Sequence, residues 1–76
     1  MSLRQAMLLA LDNERAAEKY YGSFAETSPD QETRKLAAKF SAEEASHAAQ
    51  LVMKIGKLPK DSDLQLEEDD DPHMPE

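Results

Sequence analysis

Apolar residues recur early in the chain at Leu3, Met7, Ala10, Ala17, Tyr21 and Phe24, and again at Leu36, Ala37, Phe40, Leu51 and Ile55. Steps of three and four keep such side chains on one helix face. The first series predicts a helix from about Ser2 to Glu26, rich in Ala, Leu, Met, Glu, Arg and Lys and free of Pro. Gly22 is its weak point: a small residue wanted for close packing, or a site of bending. The run Thr27-Ser28-Pro29-Asp30-Gln31 reads as a turn and a new helix start, with Ser28 as N-cap, Pro29 at the first helical position and Gln31 completing a capping box. Asp30 and Glu32 place negative charge at the positive end of the helix dipole. The second helix is expected to reach Lys54 or Ile55, with Gly56 as C-cap and Pro59 soon after.

Both stripes carry ionisable groups where the period calls for an apolar residue. Glu14 falls between Ala10 and Ala17, and Glu44 and His47 fall between Phe40 and Leu51. A charge on a buried face must be paired, neutralised or bound to metal, because burying it alone costs several kcal/mol. The plain alternative for Glu14 is an ion pair with Arg15, Lys19 or Lys39. Against it stands coincidence: a turn near residue 28 brings Glu14 and the Glu44-x-x-His47 pair to similar heights on neighbouring helices. Glu43 lies four residues before His47 and is the alternative ligand; the stripe favours Glu44. Tyr21, seven residues after Glu14 on the same face, could hydrogen-bond a ligand carboxylate. Tyr20 is expected to face a neighbouring chain. The methionines at 1, 7, 53 and 74 read as core or tail and not as a sulfur metal site.

With 76 residues the chain is one domain at most. A chain this short often needs a metal, a disulfide or a partner, and it has no Cys. The absence of Cys fits a reducing, cytoplasmic setting. The opening segment MSLRQAMLLALDNE reads as the start of a helix and not as a signal peptide. No apolar run approaches the roughly 20 residues of a membrane span. The net charge of −7 belongs to the C-terminal end: residues 61–76 hold eight acids and no Lys or Arg, while residues 1–60 hold eight acids and nine basic residues. The basic residues are scattered among acids, which speaks against a nucleic-acid groove. The chain therefore divides into a helical hairpin, residues 1–59, and an acidic tail, residues 60–76, expected to be disordered or loosely docked. Leu64, Leu66 and Met74 are its apolar handles, and His73 lies within it.

Two helices have no third element to close a core, so self-association is expected. One chain also offers only three ligands. A two-fold pair offers four carboxylates and two imidazoles, the ligand set of a di-iron or di-manganese carboxylate bundle. Carboxylate and imidazole suit iron, manganese or zinc and argue against copper(I). With iron(II), two adjacent metals could give electrons to oxygen or peroxide together, which is ferroxidation. The competing reading is a non-catalytic helical dimerisation or adaptor module whose acidic tail recruits a basic partner. A di-metal peroxidase ranks below both, since the chain has no Cys to hold a further iron centre for electron delivery.

The segments LDNERAAEKYYGSFAE and AAKFSAEEASHAAQL, with thirty residues from Glu14 to Glu44, resemble the rubrerythrin-like branch of the ferritin superfamily, and most closely its encapsulated ferritins. The resemblance covers about residues 3–58. It implies an all-α fold in which an antiparallel two-helix hairpin dimerises into a ferritin-like four-helix bundle. It implies that Glu14, Glu44 and His47 are ferroxidase ligands shared between two subunits, and that the cofactor site is di-iron, also open to manganese, zinc or calcium. It implies a larger ring, such as a decamer, iron storage, and an encapsulin shell as partner and nanocompartment. The chain departs from the pattern at Asn13 and Ala16, where relatives place further carboxylates, at Tyr20-Tyr21, where they carry a Trp-Tyr type pair, and in its acidic tail, which is unlike the usual apolar shell-targeting peptide.

Overall fold

The computed structural model describes residues 1–64. Two helices, α1 (Leu3–Thr27) and α2 (Gln31–Gly56), form a hairpin, followed by a 3-10 turn at Lys60–Asp63. The expectations for Leu66, His73 and Met74 lie outside the described residues. Among the described residues, no helix is long and apolar enough to cross a membrane.

The helix ends are set by local hydrogen bonds. Ser2 caps α1 in a capping box: its hydroxyl accepts from the Gln5 amide at 3.1 Å, and the Gln5 side chain accepts from the Ser2 amide at 2.9 Å. The start of α2 differs from the sequence reading. The N-cap is Asp30, not Ser28, and the Ser28–Gln31 box does not form. Asp30 Oδ2 accepts from both the Thr33 amide (2.9 Å) and the Thr33 hydroxyl (2.8 Å). These two bonds hold the Asp30 carboxyl below its usual pKa. An ionised carboxylate with two donors outcompetes a neutral Ser–Gln pair for the same role. Ser28 instead caps the C-terminus of α1, its amide donating to the Phe24 carbonyl at 3.0 Å. Arg34 reaches back from α2 and donates to the Ser28 and Pro29 carbonyls. Gly56 is the last residue of α2, followed by Lys57 as cap, and none of the described residues has a positive φ.

The hairpin seam follows a strict alternation of three and four. On α1 the buried or half-buried positions include Arg4, Met7, Leu11, Glu14, Glu18, Tyr21 and Ala25; on α2 they include Arg34, Ala37, Ser41, Glu44, Ala48, Leu51 and Ile55. This is a heptad spacing, the pattern of antiparallel helices packed like a coiled coil. The stripes read from sequence divide between two faces. Met7, Glu14 and Tyr21, with Ala37, Glu44 and Leu51, face the hairpin seam, whereas Phe24 (44% exposed), Leu36 (53%) and Phe40 (36%) remain open. The seam is built largely of small and polar residues, and its buried apolar members among the described residues are Leu11, Ala37 and Ala48. The bulkiest apolar groups thus lie outside it.

The Cα atoms span 55 Å by 31 Å by 12 Å, and the two helices form one layer. A single layer of helices leaves both broad faces open. On one of them Tyr21, Phe24, Thr33, Leu36, Ala37 and Phe40 line a shallow groove of about 230 Å3. The rings of Tyr21 and Phe40 meet there at 5.4 Å, and Tyr20 packs edge-on against Phe24.

The 3-10 turn contacts α1 near its start, where Arg4 Nε donates to Asp63 Oδ1 at 2.7 Å. The beginning of the acidic segment is therefore docked on the open end of the hairpin. Gly22 marks a close approach of the helices: a Cβ there would lie 3.6 Å from Ser41 Oγ, an ordinary contact. Gly22→Ala is accordingly expected to fit and to stabilise the chain by about 0.5–1 kcal/mol through helix propensity alone. Urea unfolding checks this, and a loss of stability would show that the helices cannot accept the methyl.

Candidate metal centre

Glu14 stands near the middle of α1 and Glu44 near the middle of α2, level with each other on the seam. His47 follows Glu44 by one turn and leans over the same edge. His47 Nδ1 lies 3.6 Å from Glu14 Oε1 and 3.5 Å from Glu44 Oε1. One ligand atom from each of the three residues falls within 4.8 Å of the others. The side chains are 29%, 23% and 54% exposed respectively, so the carboxylates are sheltered and the imidazole faces the open surface.

The Glu44 carboxyl acts on that of Glu14. The Glu14 carboxyl is raised above its ordinary value of 4.5, first by a hydrogen bond with the Glu44 carboxyl, then by desolvation and by the Glu44 charge; His47 opposes the shift. A shared proton is the means by which two acids occupy one space without a cation. A raised folded pKa gives stability that is fully present below the unfolded value and is lost as pH rises through the folded value. The chelator-treated protein is therefore expected to lose stability from about pH 4.5 towards neutrality, and Glu14→Gln to remove that loss. The Asp30 cap works in the opposite sense, but its lowered pKa confines its effect to more acid solution. Thermal unfolding across this range checks the prediction; parallel curves for the two proteins would refute it.

The donor set fits a divalent cation. Two ligands at about 2.1 Å from one ion lie roughly 3–4 Å apart, the separation found for His47 and each carboxylate. The alternative partners of Glu14 do not apply: among the described residues no ion pair joins it to Arg15, Lys19 or Lys39, and its charged neighbours are Glu44 and His47. Glu43 is exposed, and Glu44 is the acid that joins the cluster. Tyr21 packs its ring on Phe40, and among the described residues no hydrogen bond joins its hydroxyl to the three ligands within one chain. Tyr20 is 64% exposed, on the surface of the hairpin. The sequence reading passed over Ser41, whose hydroxyl donates across the hairpin to the Glu18 carbonyl at 3.0 Å. Its one visible signal was its place three residues before Glu44 on the heptad.

No protein-family model, no curated protein and no solved structure matches this chain.

Proposed function

We propose that the chain is an iron(II) oxidase that acts as a pair of subunits, with Glu14, Glu44 and His47 of each holding the iron. The observation that carries this reading is the convergence of two carboxylates and one imidazole within 4.8 Å, at the edge of an open apolar face. Three ligands leave a six-coordinate ion short, and a second copy related by a two-fold axis supplies the rest. The face that the second copy would cover carries Phe24, Leu36 and Phe40, which the single chain leaves uncovered. Pairing on this face would bury the bulky groups and bring the two ligand sets together in one step.

Iron(II) is the substrate in this reading. Each iron gives up one electron, and reduction of oxygen to hydrogen peroxide takes two electrons, with two protons from solution, so two adjacent irons match the demand. The carboxylates balance the positive charge of iron(III), which rises by one per metal on oxidation. His47 contributes a neutral imidazole, and Tyr21 is placed to reach a ligand carboxylate once the pair forms. A ring of such pairs and an encapsulating shell belong to the proposal only through the resemblance of the residues.

The test is oxygen uptake on addition of iron(II), lost in Glu14→Ala, Glu44→Ala and His47→Ala. Uptake at the wild-type rate in all three would end the assignment. The second reading, a dimerisation module indifferent to metal, is favoured by the open apolar face alone, which needs no ion to explain a pair.

A further inference from the structure

We infer that the two copies pair head to tail, with the turn of one hairpin against the open end of the other and the two-fold axis crossing both at the level of Glu14. The inference deepens the pairing proposed above and rests on it. Two copies can meet on the same face in two ways. An axis along the helices sets turn beside turn and lays α1 on the partner's α2. An axis across the helices sets turn beside open end, and lays α1 on α1 and α2 on α2. The first brings every level onto itself, so a ligand set meets its copy wherever it lies. The second brings the ligand sets together only if they lie on the axis. It overlaps the helices along their whole length only if that level is the middle. Glu14 and Glu44 do stand near the middle of α1 (Leu3–Thr27) and α2 (Gln31–Gly56). Full overlap matters in so small a chain. Helices of this length are about 38 Å long and two abreast about 20 Å wide, which offers roughly 750 Å2 per copy against the ~800 Å2 of a stable specific interface.

The distribution of bulk on the open face decides between the two. On α1, Leu3, Ala10, Ala17 and Phe24 each stand directly before a seam residue, as do Ala6 and Tyr20. Heptad spacing keeps these rows on the side of the seam where Phe24 lines the groove. Turned about an axis at Glu14, Phe24 meets the partner's Leu3, Tyr20 meets its Ala6, and Ala17 meets its Ala10. The midpoint of each pair falls on Asn13 or between Asn13 and Glu14. On α2 the equivalent positions hold Leu36, Phe40, Gln50 and Lys54. There Phe40 meets Gln50 and Leu36 meets Lys54, each pair centred on residue 45, between Glu44 and His47. Large groups thus face small or flexible ones along the whole length. Leu3, which the single chain leaves 49% exposed, gains an aromatic cover. With turn beside turn, Tyr20 and Phe24 would stand on the partner's Leu36 and Phe40, bulk on bulk, while Ala6 and Ala10 faced Gln50 and Lys54 at the other end. Two straight layers cannot be held apart by rings at one end and close over alanines at the other, and packed interiors do not carry such voids.

The chain has no Cys, so one introduced thiol is the only site for a label. Nitroxide labels at Ala16→Cys and, separately, at Glu26→Cys are measured by pulsed electron double resonance in the full chain, at concentrations where sedimentation shows pairs. Both positions are exposed on α1, and neither lines the groove. Glu26 lies twelve residues from Glu14 and Ala16 two, so head-to-tail pairing separates the two Glu26 labels by about 36 Å along the helices and the two Ala16 labels by about 6 Å. The separation across the pair is similar at both sites, so the measured distance at Glu26 should exceed that at Ala16 by more than about 10 Å. Equal distances at the two sites would mean turn beside turn; they would overturn the inference and leave the pairing standing. Phe40→Glu added to the Glu26→Cys chain should remove the dipolar signal. Its persistence would place the pair on another face and overturn the inference by that route. A wild-type chain that stays single at every concentration, with and without iron(II), would overturn both the orientation and the pairing.

Discussion

Glu44→Ala is expected to reduce iron(II)-dependent oxygen uptake to the level of buffer. The variant removes one ligand per chain, but in a two-fold pair it removes two from the shared site. Loss of a supporting hydrogen bond alone costs a metal site about 10–100-fold in affinity, so loss of two direct ligands is expected to exceed a hundredfold. Stability gives an independent measure. At an ion concentration of 100 times the dissociation constant, the wild type gains about 2.7 kcal/mol from binding, whereas the variant gains none at that concentration. Without metal and near neutral pH the variant should be no less stable than wild type, because it relieves the crowding of two carboxylates that raises the Glu14 pKa. Glu43→Ala is the control. Glu43 is the neighbouring residue and is exposed, and its loss should leave oxygen uptake and metal-induced stability unchanged. Equal loss in both variants would mean that acidity of the helix matters and the geometry at Glu44 does not.

Phe40→Glu is expected to hold the protein as single chains. Phe40 packs on Tyr21 and with it lines the open groove, on the face that the hairpin leaves uncovered. Full burial of a Phe side chain contributes about 1.5–3 kcal/mol and Phe40 is still 36% exposed, so pairing gains about 0.5–1 kcal/mol per copy. Burying the Glu carboxylate in its place costs at least about 1–2 kcal/mol more per copy, and symmetry counts each twice, so association should weaken by roughly 3–6 kcal/mol. That is about two to four powers of ten in the dissociation constant. The monomer should remain helical, since the heptad seam of α1 and α2 does not use the outer edge of Phe40. Ala42→Glu, on the same helix and exposed, adds the same charge away from the groove and should leave association unchanged. Sedimentation velocity separates these outcomes. An unaltered dimer in Phe40→Glu would place the interface elsewhere.

Much of this molecule could be read from its chain because helix signals are local. The two periodic segments, the proline-marked turn and the Glu14, Glu44 and His47 spacing all survive in the structure. The turn chemistry did not, because Ser28 and Asp30 each have a partner three residues on, Gln31 and Thr33, and only the energies of the competing caps decide between them. The stripes also carried an ambiguity that period alone does not resolve. Steps of three and four define a face to within part of a turn, and each helix here has two adjoining apolar edges. The hairpin closes on Leu11, Ala37 and Ala48 and leaves Phe24, Leu36 and Phe40 for another surface. Ser41 stayed invisible because a serine on a heptad looks like any tolerated polar residue. Its hydrogen bond depends on the Glu18 carbonyl, which only the packed helices bring within reach.

The most direct measurement is native mass spectrometry of the full chain supplied with iron(II) or manganese(II), beside Glu44→Ala. A shared site requires about two metal ions per pair of chains in the wild type and none in the variant. A pair of wild-type chains that forms without metal and takes none up when it is supplied would contradict the shared site and leave Glu14, Glu44 and His47 as a pairing of side chains on a hairpin seam.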